Sequence, residues 1–194
     1  MKRKSQLERK TKETAITLDL DLDGRGKYQI ETGVPFFDHM LAQLARHGKL
    51  DMELKAKGDI EIDFHHTVED VGILLGKAFK QAIGDKKGIR RFGQSLLPMD
   101  DVLSRIVLDI SGRPYLYCDL DFNSPYVGQF PVELVEEFLR AFTTHSGITL
   151  HAEILHGSNT HHQIEAVFKG LGRSLGSAIE VIDTDIPSTK GVLE

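Results

Sequence analysis

Two copies of one short pattern lie almost half a chain apart. Residues 65–76 read H-H-T-V-E-D-V-G-I-L-L-G, and residues 161–172 read H-H-Q-I-E-A-V-F-K-G-L-G. At a fixed offset of 96 residues, eight positions of this region are identical: His65, His66, Glu69, Val71, Leu75, Gly76, Ala82 and Ile83 match His161, His162, Glu165, Val167, Leu171, Gly172, Ala178 and Ile179. One repetition at half the chain length predicts two fused halves related by approximate two-fold symmetry.

Hydrophobic periodicity predicts a similar order of strands and helices in both halves. The predicted strands are 14–22, 50–56, 105–110, 115–119 and 149–155, and the predicted helices are 36–47, 65–83, 131–143 and 161–182. Asp23-Gly24 is typical of a hairpin, which predicts that strand 14–22 pairs with a return strand over 27–31. We therefore expect an α+β fold with helices on one face of each sheet, divided into halves 1–95 and 96–194.

The composition is that of a globular protein with an acidic balance. Of 194 residues, 40% are hydrophobic and 27% are charged, and the formal net charge is -5. This charge argues against nucleic acid as the main partner, because nucleic-acid binding needs a broad basic surface. No stretch approaches the roughly 20 apolar residues of a membrane helix, so we expect a cytoplasmic protein without a membrane partner. The single cysteine, Cys118, is expected to be a small buried hydrophobe without a catalytic role.

Each copy of the repeated pattern begins with H-H-x-x-E at the start of a predicted helix. Residues four apart share a helix face, whereas adjacent residues point about 100° apart, so His65 and Glu69 can bind one ion while His66 faces elsewhere. The second copy has the same spacing, which suggests two metals per site. One isolated histidine is more often a surface residue than a ligand, but repetition of the whole group favours metal binding. Imidazole and carboxylate without thiolate favour manganese, iron, cobalt or zinc.

The helix before each cluster offers one further candidate ligand. His39 in F-F-D-H-M-L and Glu137 in V-E-E-F-L occupy roughly corresponding places in the two halves. With them, each metal would have four protein ligands and open positions for a substrate.

Seven motifs together resemble the imidazoleglycerol-phosphate dehydratase family: T-K-E-T, F-F-D-H-M-L, D-F-H-H-T-V-E-D-V-G-I-L-L-G, G-I-R-R-F-G, D-I-S-G-R-P-Y, H-H-Q-I-E-A-V-F-K and P-S-T-K-G-V-L. They occur in the family's order and span nearly the whole chain. The resemblance implies two halves that are each like the second domain of ribosomal protein S5. It implies dehydration of imidazole glycerol phosphate to imidazole acetol phosphate in histidine biosynthesis, with two manganese ions per active site. It also implies a 24-subunit particle built from trimers, with active sites between neighbouring chains.

The resemblance also assigns roles to individual residues. The implied metal ligands are His39, His65, His66, Glu69, Glu137, His161, His162 and Glu165. Some family members carry histidine where this chain has Glu137. The implied substrate contacts are Glu13, His39, His65, Glu69, Arg91, Arg113, His161, Lys169, Ser188, Thr189 and Lys190. Within that set, Arg91, Arg113 and Lys169 are the cations for the phosphate, and Ser188, Thr189 and Lys190 form a second phosphate-contact segment.

The reaction removes a proton from a carbon that is not next to a carbonyl, so the substrate's imidazole ring is the expected electron sink. The hypothesis is that both metals bind this ring as imidazolate. Glu13 and Glu165 are the candidate general acid and base, and which residue has which role stays open. Two alternatives remain. A dinuclear metallohydrolase, such as a phosphatase, would share the ligands but release phosphate, and a metal-stabilised scaffold or RNA binder would have no activity.

Overall fold

The computed structural model describes residues 3–193, in which two halves repeat one order of elements. The first half contains β1 (Lys4–Lys10), β2 (Thr14–Asp21), β3 (Tyr28–Glu31), α1 (Pro35–Gly48), β4 (Asp51–Gly58) and α2 (His65–Ile83). The second half contains β5 (Phe92–Met99), β6 (Val102–Asp109), β7 (Tyr115–Asp119), β8 (Tyr126–Val127), β9 (Phe130–Pro131), α3 (Leu134–Ser146), β10 (Thr149–His156) and α4 (Thr160–Ala178). Apart from the short β8–β9 hairpin, each element has a counterpart in the other half.

Each half forms one four-stranded sheet with the same topology. The strand orders are β1-β2-β4-β3 and β5-β6-β10-β7. In both sheets three strands are antiparallel, while the last edge strand, β3 or β7, runs parallel to its neighbour. The predicted α+β fold with two duplicated sheet-plus-helix halves is confirmed.

The core lies between the two sheets and is continuous across both halves. Alternate residues of β2, among them Ile16 and Leu18, are buried against α2. The helices then pack in pairs across the halves, α1 against α4 and α2 against α3, and exchanging the halves maps one pair onto the other. Phe138 at the centre contacts both Phe37 and Phe168, with ring centroids 5.4 and 5.2 Å apart. Each such buried ring stabilises the fold by about 1.5–3 kcal/mol.

Glycines allow the paired helices to approach closely. A Cβ atom on Gly172 of α4 would lie 2.5 Å from the carbonyl oxygen of Leu44 in α1. Its counterpart in α2, Gly76, has the same function at the other crossing, where a Cβ atom would lie 2.7 Å from the carbonyl oxygen of Phe142 in α3. Both distances are shorter than side chains tolerate, so the two crossings depend on glycine.

The predicted hairpin at Asp23-Gly24 is wrong. β2 pairs antiparallel with β1 and β4, whereas β3 pairs in parallel with β4. The reason lies in Asp51 at the start of β4, whose Oδ1 accepts the backbone N–H groups of Arg25 and Lys27, both at 2.8 Å. These bonds carry the loop across the sheet, so that the chain does not fold back on β2.

Several predicted boundaries also differ from the structure. Strands β1 and β5 were not predicted, and β5 spans the 95/96 division. The offset of 96 applies to the last helices only, because β2 and β6 begin at Thr14 and Val102, 88 residues apart, and β4 and β10 begin at Asp51 and Thr149, 98 residues apart. Helix α3 begins after residue 131 because Pro131 belongs to β9. Helix α4 ends at Ala178 because the chain then forms a bridge from Val181 to Ile89.

Candidate active site

Three predicted ligands from two helices meet at one end of the α1–α4 pair. His39 comes from α1, and His161 and Glu165 come from the first turns of α4. The Oε2 atom of Glu165 lies 3.1 Å from Nε2 of His161 and 3.4 Å from Nε2 of His39. Within residues 3–193, this is the one group of three such side chains whose ligand atoms all lie within 4.8 Å of one another. We call it the His39 trio.

Neighbouring side chains hold the His39 trio in place. The Phe36 and His161 rings pack in a T-shaped arrangement, with centroids 5.3 Å apart. Lys169, one helical turn after Glu165, places its Nζ atom 2.6 Å from Oε1 of that carboxylate. Burial acts to raise the pKa of Glu165, but the hydrogen bond and charge of Lys169, with the hydrogen bond to His161, outweigh it and hold the pKa below its usual value. The carboxylate is therefore ionised, as a metal ligand must be.

The counterparts in the first half do not meet in the same way. His65 and Glu69 lie on α2 and Glu137 lies on α3. His39 and Glu137 each stand 12 residues before the next strand, at Asp51 and Thr149, so their predicted correspondence agrees with the register of the elements. Even so, the part of the chain that the structure describes contains no second compact group of three ligands.

The second histidine of each pair is held by a carboxylate from a loop. Nδ1 of His66 lies 3.0 Å from Oδ2 of Asp59, and Nδ1 of His162 lies 2.9 Å from Oδ1 of Asp101. The hydrogen bond that Nδ1 of His66 donates to Asp59 raises the pKa of His66. A histidine bound in this way through Nδ1 has Nε2 left as a ligand atom, as metal-binding histidines commonly do. Nε2 of His162 lies 3.6 Å from Oδ2 of Asp100. Neither aspartate was predicted, because the spacing from aspartate to histidine differs between the two halves.

Glu13 lies beside the first of these histidines. Its Oε2 atom is 3.9 Å from Nδ1 of His66, and its side chain is about half exposed. Glu13 directly precedes β2, and Asp101 directly precedes β6. The two carboxylates therefore occupy equivalent positions, each facing the second histidine of its own half. Within one chain, Glu13 and Glu165 belong to different clusters.

The predicted phosphate residues from three segments line one cavity. It has a volume of about 620 Å³ and includes Arg91, Arg113, Ser188, Thr189 and Lys190. Lys169 does not line it and instead contacts Glu165.

Asp109 organises this cavity and was not predicted. It accepts Nε and Nη2 of Arg91 at 2.7 and 3.0 Å, and Nη2 of Arg113 lies 3.9 Å away. Arg91 also has a left-handed backbone conformation, with φ of 72°. Residues other than glycine rarely adopt this conformation outside functional or strained sites. Asp109 opens the D-I-S-G-R-P-Y motif, so its place in that motif was the available signal. The Arg91 guanidinium is thus fixed in orientation, while Arg113 remains largely exposed.

Comparisons with known proteins agree on one family. A family model described as imidazoleglycerol-phosphate dehydratase matches residues 32–175. The imidazoleglycerol-phosphate dehydratase of Thermoanaerobacter pseudethanolicus is 58% identical over 193 residues, covering 98% of this chain and 100% of the relative. A solved structure of the Staphylococcus aureus enzyme has a TM-score of 0.84 at 39% identity, covering 92% of this chain and 99% of that chain. The Pyrococcus furiosus enzyme, solved in complex with (S)-C348, has a TM-score of 0.83 at 37% identity, covering 96% and 100%.

Proposed function

The chain belongs to the imidazoleglycerol-phosphate dehydratase family, a family of hydro-lyases, and on this premise we propose that it dehydrates imidazole glycerol phosphate in histidine biosynthesis. The product is imidazole acetol phosphate. The observation that carries the proposal is the His39 trio, which joins two imidazoles to a buried, ionised carboxylate. We further propose that the active form contains two manganese ions per active site.

The donor set of the His39 trio fits manganese. Imidazole nitrogen and carboxylate oxygen suit borderline divalent metals, and Cys118 lies outside the trio. His39, His161 and Glu165 would hold one ion, and His65, Glu69 and Glu137 are the candidate ligands of the other, with His66 and His162 joining them through Nε2. Manganese, when bound, supplies positive charge that favours the substrate's ring in its imidazolate form.

The phosphate end of the substrate is proposed to bind the cavity lined by Arg91 and Arg113. Because Arg91 already pairs with Asp109, the net positive charge there comes from Arg113 and Lys190. Hydroxyl groups of Ser188 and Thr189 add neutral donors. Such a cavity orients a phosphate by several hydrogen bonds, which brings the reacting carbons to a fixed place relative to the carboxylates.

Proton transfer is assigned to Glu13 and Glu165 together. Glu13 is half exposed, so it can exchange a proton with solvent between turnovers. Glu165 is buried and held ionised by Lys169, which suits a ligand and a positioned acceptor. Both lie beside imidazoles of the repeated clusters, where the ring of the substrate is proposed to sit.

The divided ligand sets favour self-association. His65, Glu69 and Glu137 do not form a compact group with one another, so we propose that a neighbouring subunit completes their site. A 24-subunit particle built from trimers, as the family resemblance implies, is the proposed assembly. The second sheet also exposes large apolar side chains on its outer face, among them Phe92 and Leu96, which favours coverage by another copy of the chain.

No helix within residues 3–193 is long and apolar enough to cross a membrane, and a cytoplasmic location stays a prediction.

The decisive experiment follows two products at once. Metal-stripped protein is incubated with imidazole glycerol phosphate with and without added manganese, and imidazole acetol phosphate and free phosphate are both measured. Manganese-dependent formation of the ketone without phosphate release supports the dehydratase. Phosphate release would instead support the metallohydrolase, and neither product from assembled, metal-loaded protein would reject an enzymatic function. Retention of nucleic acid at physiological salt, which we expect to be negligible, tests the RNA-binding alternative.

A further inference from the structure

One set of equivalent inward positions is polar in the first half and apolar in the second. In the first half it consists of Arg9, Thr14 and Asp70, which we call the polar triad. In the second half, the same registers of β5, β6 and α4 hold Leu97, Val102 and Ala166. Arg9 pairs across the sheet with Ile16, two residues after Thr14, and Leu97 pairs with Ser104, two residues after Val102. Leu97, Val102 and Ala166 form a small apolar cluster of their own.

The polar triad is tightly connected. Asp70 on α2 is buried, and its Oδ1 accepts Nε of Arg9 at 2.8 Å and lies 2.7 Å from Nη2. Its other oxygen, Oδ2, accepts the hydroxyl of Thr14 at 2.5 Å. One carboxylate on α2 is therefore bonded to both strands of the β1–β2 hairpin.

The connection continues into the turn that bears Glu13. Oγ1 of Thr14 lies 3.2 Å from Oγ1 of Thr11, and since the Thr14 hydroxyl donates to Asp70, the Thr11 hydroxyl is the donor to Thr14. Oγ1 of Thr11 in turn accepts the backbone N–H groups of Glu13 and Thr14 at 3.1 and 2.9 Å. A chain of hydrogen bonds thus runs from Asp70 to the backbone of Glu13, whose carboxylate faces His66.

The second half shows that the fold does not need these polar groups. The same hairpin packs on the same kind of helix there with three apolar side chains. Burying an ion pair costs desolvation, and apolar residues of similar volume often replace one at no loss or at a gain in stability. The polar triad therefore calls for a reason other than stability. The polar triad adds hydrogen bonds that connect Asp70 to the turn between β1 and β2. The β5–β6 hairpin lacks this connection because Met99 occupies the position of Thr11.

We propose that Asp70 is a positioning residue that fixes Glu13 beside His66, acting through Thr14 and Thr11. The proposal rests on the role of Glu13 in the proposed dehydration. Asp70 and His66 lie on the same helix, so anchoring the turn to Asp70 sets the carboxylate of Glu13 relative to the histidine that it faces. This role explains the T-K-E-T motif at residues 11–14, because the hydroxyl groups of Thr11 and Thr14 fix the turn that bears Glu13.

The test replaces the three residues of the polar triad with the residues at the equivalent positions of the second half. The variant R9L/T14V/D70A is compared with the single variant T14V, which breaks the link to the turn but keeps the Arg9–Asp70 pair. R9L/T14V/D70A is expected to assemble and to melt close to the wild type or above it. T14V should assemble but melt somewhat lower, because Oδ2 of the buried Asp70 loses its hydrogen-bond donor. The kcat for dehydration should fall by about 100-fold while KM changes by less than about threefold, because the reacting group is displaced rather than the binding groups. Amide exchange of residues 11–14 should become at least about tenfold faster.

Two controls separate positioning from general damage. Lys4→Gln breaks the exposed Lys4–Asp21 pair in the same hairpin and should change neither kcat nor exchange at residues 11–14. In the E13Q background, T14V should have little further effect on kcat, because its effect passes through Glu13. The proposal is overturned if exchange at residues 11–14 is unchanged in both variants, or if T14V lowers kcat equally with and without Glu13. If the wild type forms no ketone, the proposed function fails, while amide exchange still decides whether Asp70 anchors the turn.

Discussion

The two halves have the same backbone plan but use equivalent positions differently. In the second half, His161 and Glu165 of α4 meet His39 from the helix packed against them. In the first half, α2 offers His65 and Glu69 and packs against α3 in the equivalent way, yet these residues do not form a compact group with Glu137 within residues 3–193. The duplication therefore preserved the helix packing and both H-H-x-x-E groups, while the residue offered by the neighbouring helix is His39 in one pair and Glu137 in the other.

The outer faces of the two sheets diverged further. The first sheet carries charged residues where the second carries apolar ones: Lys4, Glu8 and Asp19 correspond in register to Phe92, Leu96 and Val107. Phe92 and Leu96 are 56% and 65% exposed. Residues at inward positions are constrained because they pack in a shared core. Residues at outward positions depend on whether solvent or another protein surface contacts them. We therefore expect the first sheet to face water and the second to contact another copy of the chain, as proposed above.

The largest effect on activity should come from disrupting the His39 trio. Glu165→Gln removes the carboxylate that both histidines approach, and we expect loss of one manganese per chain with a fall in kcat of more than about 100-fold. Glu69→Gln is the matched change in the first half and should leave the ion of the His39 trio in place. Elemental analysis of manganese bound after gel filtration, together with turnover, makes the comparison. Equal loss of both ions in both variants would show that the clusters do not bind independently.

A second contrast uses the two glycine crossings. Gly172→Ala and Gly76→Ala should each destabilise the fold by about 1–3 kcal/mol, since an added methyl group meets a backbone carbonyl in both. Only Gly172→Ala displaces α1 from α4, so only it should also weaken manganese binding by the His39 trio. Urea unfolding gives the stability and metal titration gives the affinity. The comparison fails if Gly76→Ala weakens binding by the trio as strongly.

The apolar outer face of the second sheet can be tested by replacing one of its residues with the residue at the equivalent position of the first sheet. Leu96→Glu places on β5 the side chain that β1 carries as Glu8, and we expect it to weaken self-association by more than about 1 kcal/mol per contact. Light scattering after gel filtration should then report a smaller particle than the wild type. Glu8→Gln, on the charged face, is the control and should leave the particle mass unchanged. A wild-type mass retained by Leu96→Glu would mean that this face is not an interface.

Much of the fold could be predicted because its core helices are strongly periodic. The predicted helix 65–83 agrees with α2 at both ends, since its apolar residues follow one face without interruption. β1 could not be predicted in this way because its inward positions include Ser5 and Arg9, whose partners Gln81 and Asp70 lie far away in the chain. A pattern in one segment does not contain the partner that makes a polar residue acceptable inside.

The candidate site was predictable to a similar extent. The repeated H-H-x-x-E spacing identified residues that do share a helix face, as the contact between His161 and Glu165 confirms. The carboxylates of Asp59, Asp101 and Asp109 were missed, because each acts from a loop or strand end whose position depends on the packed sheets. Helical spacing is local information, whereas the orientation of a ligand's ring depends on tertiary contacts.

The smallest effect concerns Cys118, whose counterpart on the parallel edge strand of the first sheet is Ile30. Both residues pack against the core from corresponding registers, opposite Ala152 and Leu54. Burial, with a smaller contribution from the charge of Glu136, raises the pKa of the Cys118 thiol to about 12, so little thiolate is present at neutral pH. Cys118→Val should therefore change the free energy of unfolding by less than about 1.5 kcal/mol and leave turnover unchanged. Iodoacetamide at pH 8 should label the folded protein slowly and the unfolded protein fully. Rapid labelling of the folded form, or loss of turnover in Cys118→Val, would show that this position differs from Ile30 in more than size.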